Sequence, residues 1–258
     1  MSKLFSLEGR TALITGGSRG IGRMIAAGFL RQGAKVYISA RKAAACETTA
    51  AELSAEFGAG RCISLPADVS TAAGVAALVA AFSAHEARLD ILVNNAGAAW
   101  GAPFDEFPEA GWDKVVDLNL KAPFFLTQAL HAQLKAGAAG GQPAKVINIA
   151  SIDGQTVNPQ ETYSYAASKA GLIHLTKRMA LRLVADQIIV NALCPGAFAS
   201  DMNRAARDEA VAVAARIPAR RIGVDDDMAG AAIYLASRAG DYVVGTTLTV
   251  DGGVNLVR

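Results

Sequence analysis

The sequence predicts an α/β fold in a single domain, a doubly wound parallel sheet of about seven strands with helices on both faces. Three observations carry that prediction. Short apolar runs alternate with helical patterns over residues 10–250, and such alternation builds parallel strands joined by right-handed crossovers. The first run leads straight into a glycine-rich turn and then a helix. Unusual residues also recur just past the strand ends: Gly16, Arg41, Asp68, Asn94, Ser151 and Pro195. In an open parallel sheet a ligand lies outside the carboxyl ends of the strands. Their recurrence there predicts one cleft along that edge.

The first strand covers residues 10–15, with Ala12, Leu13 and Ile14 apolar in succession. A short continuous apolar run suits a strand buried on both faces. Gly16-Gly17-Ser18-Arg19-Gly20-Ile21-Gly22 follows, then a helix whose inward stripe is Ile21, Met24, Ile25, Gly28 and Phe29. The glycines let the backbone turn sharply and approach a pyrophosphate, and the helix N-terminus faces the anion. The spacing is Gly-x-x-x-Gly-x-Gly, a departure from the Gly-x-Gly-x-x-Gly fingerprint. The second strand, residues 35–40, ends at Arg41, and no Asp or Glu occurs between Gly33 and Glu47. An acid there would bind the ribose hydroxyls of a dinucleotide, whereas Arg accommodates a 2′-phosphate. Arg19, inside the turn, is a second cation for the same phosphate. Each also reads as an ordinary exposed arginine; together, with the acid missing, they favour NADPH over NADH.

A helix over about 43–57 leads to a strand at 62–65 that ends at Asp68-Val69. Asp68 has two compatible readings, a hydrogen bond to an adenine amino group and a cap on the next helix. That helix carries Leu78, Val79 and Phe82; the fourth strand, 90–93, is followed by Asn94-Asn95-Ala96-Gly97. A long helical pattern over about 112–136 holds Asn119 between Leu118 and Leu120. A buried Asn is costly unless its amide is satisfied, so a local kink or a bound water is expected there. Residues 137–143 read as a surface loop. The fifth strand, 145–150, ends at Ser151, and a helix to about 183 follows. The sixth strand, 188–193, precedes Pro195-Gly196. Residues 197–218 are less regular, with a polar helix expected around 208–215, and read as a substrate lid. A helix at 225–235 and a strand at 246–250 close the pattern.

Within Tyr163-Ser164-Tyr165-Ala166-Ala167-Ser168-Lys169, Tyr165 and Lys169 stand four residues apart. On a helix that spacing puts both side chains on one face. A phenol titrates near 10 when unperturbed, and a neighbouring cation lowers that value. The pair reads as a general acid/base for a carbonyl oxygen or an alcohol, or as a plain solvated pair.

Composition narrows the alternatives. The chain has 258 residues, 52% hydrophobic, with a net charge of +2. Such a balance predicts no nucleic-acid or membrane partner. Cys46, Cys62 and Cys194 have no metal spacing and read as reduced thiols of a cytoplasmic protein. No metal is expected. The first ten residues show no secretory pattern, and the apolar run at 72–82 is too short to span a bilayer. No linker or repeat divides residues 1–258.

Taken as a set, Thr15-Gly16-x-x-x-Gly20-x-Gly22, Asp68, Asn94-Asn95-Ala96-Gly97, Asn119, Ser151, Tyr165-x-x-x-Lys169 and Pro195-Gly196 resemble the short-chain dehydrogenase/reductase family, over roughly residues 7–253. The resemblance implies a Rossmann-type sheet in a homotetramer or homodimer. It implies a catalytic tetrad of Asn119, Ser151, Tyr165 and Lys169. Ser18, Arg19, Gly20, Ile21 and Gly22 would lie along the cofactor with Gly16, while Asp68 and Val69 would flank adenine. Asn94, Ala96 and Gly97 would line the ribose, Lys169 would hold the nicotinamide ribose beside Tyr165, and Ser200, just past Pro195-Gly196, would position the carboxamide. Ser151 would hydrogen-bond the oxygen that Tyr165 protonates, and Asn119 would anchor a water.

The implied function is NADPH-dependent reduction of a ketone. Within the family the chain looks most like the bacterial 3-oxoacyl-[acyl-carrier-protein] reductases and related ketoacyl reductases, with sugars, polyols, steroids and xenobiotic carbonyls as alternative substrates. Trp100, Phe104, Val157, Pro159, Phe198 and Met202 read either as an apolar pocket wall or as core. Arg204, Arg207, Arg216, Arg220 and Arg221 read either as a site for an anionic thioester or as a solvated face. A non-catalytic NADPH sensor or scaffold would lack a tetrad residue, and none is missing. A serine hydrolase on Ser151 lacks the Gly-x-Ser-x-Gly elbow.

Overall fold

The computed structural model describes residues 3–257. Seven parallel strands form one sheet in the order β3-β2-β1-β4-β5-β6-β7. They are β1 (Thr11–Thr15), β2 (Lys35–Ser39), β3 (Cys62–Ser64), β4 (Ile91–Asn94), β5 (Ala144–Ile149), β6 (Ile188–Pro195) and β7 (Thr247–Val250). Consecutive strands in the chain leave β1 in opposite directions, β2 and β3 one way and β4 to β7 the other. The reversal lies between β1 and β4, where the crossovers change faces and a crevice opens at the carboxyl ends.

Alternation along the strands divides the core in two. Ala12 and Ile14 of β1 face one layer with Val36, Ile38, Ile91 and Val93. Leu13, Tyr37, Leu92 and Val146 face the other. The first layer is covered by α1 (Gly20–Arg31), α2 (Ala43–Phe57) and α10 (Asp225–Ala236), through Ile25, Phe29, Leu53, Met228 and Leu235. The second is covered by α3 (Ala72–Ser83), α5 (Ala122–Ala129), α6 (His131–Ala138) and α7 (Tyr163–Leu183), through Leu78, Phe82, Leu126, Leu134 and Met179. Strands β1, β4, β5 and β6 are buried along their whole length, which is why their sequences read as apolar runs without alternation.

The structure revises three local expectations. The long helical pattern is broken: α4 (Glu109–Val116) passes through a π-turn at Asp117–Lys121 into α5, and Leu130 separates α5 from α6. Pro123 at the start of α5 has no N–H to donate, which suits a fresh helical start. Residues 137–143 are not all loop. Helix α6 continues to Ala138 because Gly137 is buried against β4's approach, where a Cβ would run into the Leu89 carbonyl oxygen. The polar helix expected near 208–215 is two short helices, α8 (Arg204–Asp208) and α9 (Ala210–Ala214), interrupted at Glu209. Among the described residues no helix is long and apolar enough to cross a membrane.

Gly137→Ala tests this packing. Ala is favoured in a helix by about 1 kcal/mol over Gly, yet here its methyl meets a backbone oxygen that cannot turn away. Overpacking of about 1–3 kcal/mol should dominate, so thermal unfolding should show a lower Tm. A raised Tm would mean that the α6–Leu89 contact is loose.

Candidate active site

The crevice beside β1 and β4 is built from backbone first. Thr15 ends β1, and its hydroxyl accepts from the N–H groups of Asn95 and Ala96, both at 3.0 Å. The Asn95 amide donates back to the Thr15 carbonyl at 2.8 Å and the Gly16 carbonyl at 3.1 Å. This side chain lies across the glycine turn, and a Cβ on Gly16 would stand 2.7 Å from Asn95 Nδ2. At Gly22 a Cβ would strike the Gly16 carbonyl oxygen. Gly16 also has φ of +66°, a region open to glycine at little cost. Arg19, the residue capping α1, supplies no side-chain acceptor, so the first N–H groups of the helix remain for an anion. Ser18 holds α2 through its carbonyl, which accepts from Thr49 Oγ1 at 2.9 Å. Ile21 packs on the core below the turn. The cradle therefore fits a dinucleotide pyrophosphate. Thr15 and Asn95 stood in the sequence motifs at the ends of β1 and β4 without a role of their own; the structure gives them this one.

The adenosine side is open and cationic. Arg41, just beyond β2, is exposed and makes no ion pair or hydrogen bond among the described residues. Arg19 pairs with Asp201 at 2.6 Å. Asp68 accepts from the Ser70 N–H at 3.1 Å and the Ser70 hydroxyl at 2.7 Å, while Thr71 caps α3 by accepting from the Gly74 N–H at 3.0 Å. Asp68 thus shapes the turn before α3 and Thr71 is the cap itself. Val69 is buried in the second core layer.

Asn94 differs from its expected place on the ribose. Its amide nitrogen donates to Asn148 Oδ1 at 2.8 Å and Thr127 Oγ1 at 3.2 Å, and Asn148 donates to Thr176 Oγ1 at 2.9 Å. The side chain joins a buried polar chain between β4, β5, α5 and α7. Gly97 lies beside the tetrad candidates, where a Cβ would stand 3.3 Å from Asn119 Oδ1 and 3.8 Å from Lys169 Nζ, while Ala96 packs against the second core layer.

Asn119 sits in the π-turn and is 1% exposed. Its Oδ1 accepts from the Ala98 N–H at 2.8 Å, and its Nδ2 donates to the Ala98 carbonyl at 2.9 Å and to Ser168 Oγ at 3.1 Å. The kink expected from the sequence is the π-turn, and the amide is satisfied by the chain itself. Ser168 in turn donates to the Tyr165 carbonyl at 2.8 Å. Asn119 is thereby tied to the helix that carries Tyr165 and Lys169.

Ser151, at the end of β5, holds the following turn by accepting from the Asp153 N–H at 3.1 Å. Its hydroxyl is also a hydrogen-bond partner of the Tyr165 phenol and draws the phenol pKa down. Burial acts more strongly in the other direction and pushes Tyr165 up to about 12. Here the structure corrects the expectation that Lys169 lowers the Tyr165 pKa. Lys169 Nζ lies 5.6 Å from the centroid of the Tyr165 ring and donates to the Ile149 carbonyl at 2.7 Å. The ammonium is over the ring and engaged with β5. Burial lowers Lys169 itself to about 8. Cys194, at the end of β6, forms the floor: it accepts from the Ser151 N–H, and burial raises its thiol to about 11.

Pro195 is the buried last residue of β6, which runs beyond the 188–193 expected from the sequence; it pairs with Val250, and Gly196 just past it packs against Asp251. Ser200 Oγ accepts from the Asn203 N–H at 3.1 Å. Of the expected wall residues, Trp100, Phe104, Val157 and Met202 are exposed, whereas Phe198 is core at 2%. Two of the five arginines are neutralised by carboxylates. Arg207 pairs with Asp201 and Asp208, Arg221 with Asp227, and Arg220 donates to the Ala215 carbonyl. Among the described residues no group of His, Cys, Asp or Glu could hold a metal ion.

Comparison with known proteins agrees with this geometry. A family model described as enoyl-(acyl carrier protein) reductase matches residues 16–255. The rhamnolipids biosynthesis 3-oxoacyl-[acyl-carrier-protein] reductase of Pseudomonas aeruginosa is 46% identical over 259 residues, which is 99% of this chain and 100% of that protein. The solved RhlG/NADP active-site complex from Pseudomonas aeruginosa superposes with a TM-score of 0.93 at 45% identity, covering 99% of this chain and 100% of that one. Gluconate 5-dehydrogenase of Gluconobacter oxydans is 36% identical, over 98% of this chain and 97% of its own. On these matches the chain belongs to the short-chain dehydrogenase/reductase family.

Proposed function

We propose that the protein is an NADPH-dependent reductase of a 3-oxoacyl thioester or a ketone of similar shape. The observation that carries this reading is the Ser151–Tyr165 pair beside the Gly97 strand end, with Lys169 and Asn119 behind it. Gly16, Ser18, Gly20, Ile21 and Gly22 would hold the pyrophosphate, Ala96 and Gly97 the ribose, Arg41 and Arg19 the 2′-phosphate. Asp68 and Val69 would border adenine, with Pro195, Gly196 and Ser200 at the nicotinamide end. When bound, the cofactor supplies the hydride.

The chain's own residues supply the proton and the field. A phenol raised to about 12 is fully protonated at neutral pH, so Tyr165 is held ready as an acid. Ser151 offers a second hydrogen bond to the same oxygen as it gains negative charge, an interaction that grows toward the transition state. Lys169 adds a cation at the ring face, and Asn119 fixes the helix that aims both. Residues 197–218 would act as the substrate lid over residues 1–258 as one catalytic unit. The exposed Trp100, Phe104, Val157 and Met202 give the entrance an apolar character that suits an acyl chain. The gluconate dehydrogenase relative favours a second reading, a sugar-acid carbonyl. The assembly we propose is a homotetramer or homodimer.

Tyr165→Phe should lower the rate of NADPH oxidation with acetoacetyl thioester by ~10²–10⁴, the usual range for a lost general acid. An unchanged rate in a folded variant would remove Tyr165 from the reaction. No turnover by the native protein on thioesters, with turnover on 5-ketogluconate, would move the substrate to the second reading. Arg41→Ala should weaken NADPH binding by roughly 1.5–3 kcal/mol, the range for a hydrogen bond to a charged group, and leave NADH unmoved in calorimetric titration. Equal losses for both cofactors would place Arg41 away from the 2′-phosphate.

Lys169 has a separate consequence for stability. Its folded pKa of about 8 lies below the ordinary 10.5. At neutral pH the ammonium is charged in both states and folding carries its desolvation cost. Between these values the unfolded chain binds a proton that the folded chain does not, so this term stabilises the native state as pH rises. Lys169→Met should therefore be inactive yet more stable near pH 7. The gain should be about 2 kcal/mol, once ~1 kcal/mol is allowed for the orphaned Ile149 carbonyl. Urea unfolding should show that advantage shrink toward about pH 10. A less stable variant at neutral pH would mean that the ammonium contributes more in place than its burial costs.

A further inference from the structure

Asp201 is a carboxylate with both oxygens committed. Oδ2 meets Arg19 Nη1 at 2.6 Å, and Oδ1 meets Arg207 Nη1 at 2.7 Å. Arg207 is itself gripped from the other side by Asp208, Nε to Oδ1 at 2.7 Å and Nη2 to Oδ2 at 3.0 Å. The four charges form a chain from the glycine turn to α8, and they cancel. Nothing in the core requires it: the Arg19 and Asp201 side chains are 69% and 51% exposed, and a pair so exposed contributes little to stability.

The chain does something else at that place. Arg19 is the residue before α1, in extended backbone with φ of −167° and no capping role. A free arginine there would sample many rotamers, at ~2 kcal/mol of side-chain entropy. Asp201 takes one of its five N–H donors and fixes the fork, which leaves the others for a second anion. Arg41 stands past the neighbouring strand without a partner among the described residues. The same short segment also carries Ser200, whose Cβ would be 3.3 Å from a Cβ on Gly20, and whose hydroxyl anchors the N–H of Asn203, the cap of α8. One stretch, 200–208, therefore touches the turn at Gly20 and holds the arginine beside it.

We propose that Asp201 is a positioning residue for cofactor selection. It holds Arg19 in the orientation that receives a 2′-phosphate, and through Arg207 it transmits that contact to the lid helix α8. This rests on the reading of Arg19 and Arg41 as the phosphate site and extends it to a residue outside the cleft. An NADP-type ligand then engages the Arg19 end of the chain of charges, whereas an NAD-type ligand leaves Arg19 with Asp201 alone. Cofactor type would thereby set how firmly the lid segment is held.

The test uses the full-length protein, Asp201→Ala and Asp201→Glu, titrated calorimetrically with NADP⁺ and with NAD⁺. Asp201→Ala should bind NADP⁺ about 5-fold more weakly and NAD⁺ with unchanged affinity, the size expected when one exposed charged contact that orders an arginine is lost. Asp201→Glu, which keeps the carboxylate, should recover most of the difference. Limited proteolysis within residues 202–216 should be slowed by NADP⁺ more than by NAD⁺ in the native protein, and equally by both in Asp201→Ala. Equal weakening of both cofactors would mark Asp201 as a structural prop, and unchanged or tighter NADP⁺ binding would mean that it repels the phosphate; either result overturns the proposal. Failure of the native protein to prefer NADP⁺ would remove the phosphate site and this inference together. A preference that survives intact in Asp201→Ala would remove this inference alone.

Discussion

The amide of Asn119 is the tie on which the site depends. Three hydrogen bonds leave it, two to the backbone of Ala98 and one to Ser168. Ala98 belongs to the chain emerging from β4, Ser168 to the helix with Tyr165 and Lys169, and Asn119 to the π-turn between α4 and α5. A regular helix would aim position 119 elsewhere; the extra residue of a π-turn re-aims a side chain at a modest cost in helical hydrogen bonding. In an almost fully buried setting each of those polar groups would be expensive if left alone. The bend in the helix and the satisfied amide are thus one solution. It fixes the distance between the strand end that carries Gly97 and the helix that carries the phenol.

Burial then decides the chemistry. Tyr165 and Lys169 come from one helix face, as their spacing requires, but the low-dielectric surroundings shift both toward their neutral forms: the phenol up, the ammonium down. The simple expectation that the cation would draw the phenol down gave only the sign of a pairwise interaction. Desolvation is the larger effect for both groups, and the nitrogen sits over the ring and on the Ile149 carbonyl rather than at the phenol oxygen. The outcome is a phenol that keeps its proton at neutral pH, as the proposed acid role requires. Ser151 alone among the neighbours lowers the phenol pKa, which places it where the oxygen of a substrate would also be stabilised.

The fold was legible because its determinants are local and repeated. Buried parallel strands need apolar runs, and every strand expected from the sequence is present within a residue or two. The strand-end positions of Gly16 and Ser151 followed from topology, whereas Tyr165 and Lys169 stood out by their four-residue spacing and Asn119 by its polar side chain between apolar neighbours. What stayed hidden depends on partners distant in sequence. Asn94 and Asn95 are adjacent and alike in composition. One turns into the Asn148–Thr176 chain and the other lies across Gly16, and only the strand order distinguishes them. Gly137 read as a loop signal because the Leu89 carbonyl against it is invisible in a one-dimensional pattern. The five arginines between positions 204 and 221 looked like a basic surface, yet Arg207 and Arg221 are cancelled by carboxylates that the fold brings up.

That cancellation changes what the entrance can select. With Arg207 and Arg221 paired, Arg41, Arg204, Arg216 and Arg220 have no carboxylate ion pair among the described residues, although Arg204 still acts through space on Asp208. An anionic carrier attached to a substrate would meet scattered charges, not a concentrated patch, and screening over roughly 8–10 Å at physiological salt weakens such attraction further. In the proposed reading, discrimination at the substrate end would rest on shape and apolar contact at the exposed Trp100, Phe104, Val157 and Met202. A missing methylene in such a pocket changes binding by only ~1–3 kcal/mol. The fixed features of the molecule, the glycine cradle and the buried acid, set which bond is made. Relatives 46% and 36% identical to this chain are named for an acyl and for a sugar-acid substrate respectively.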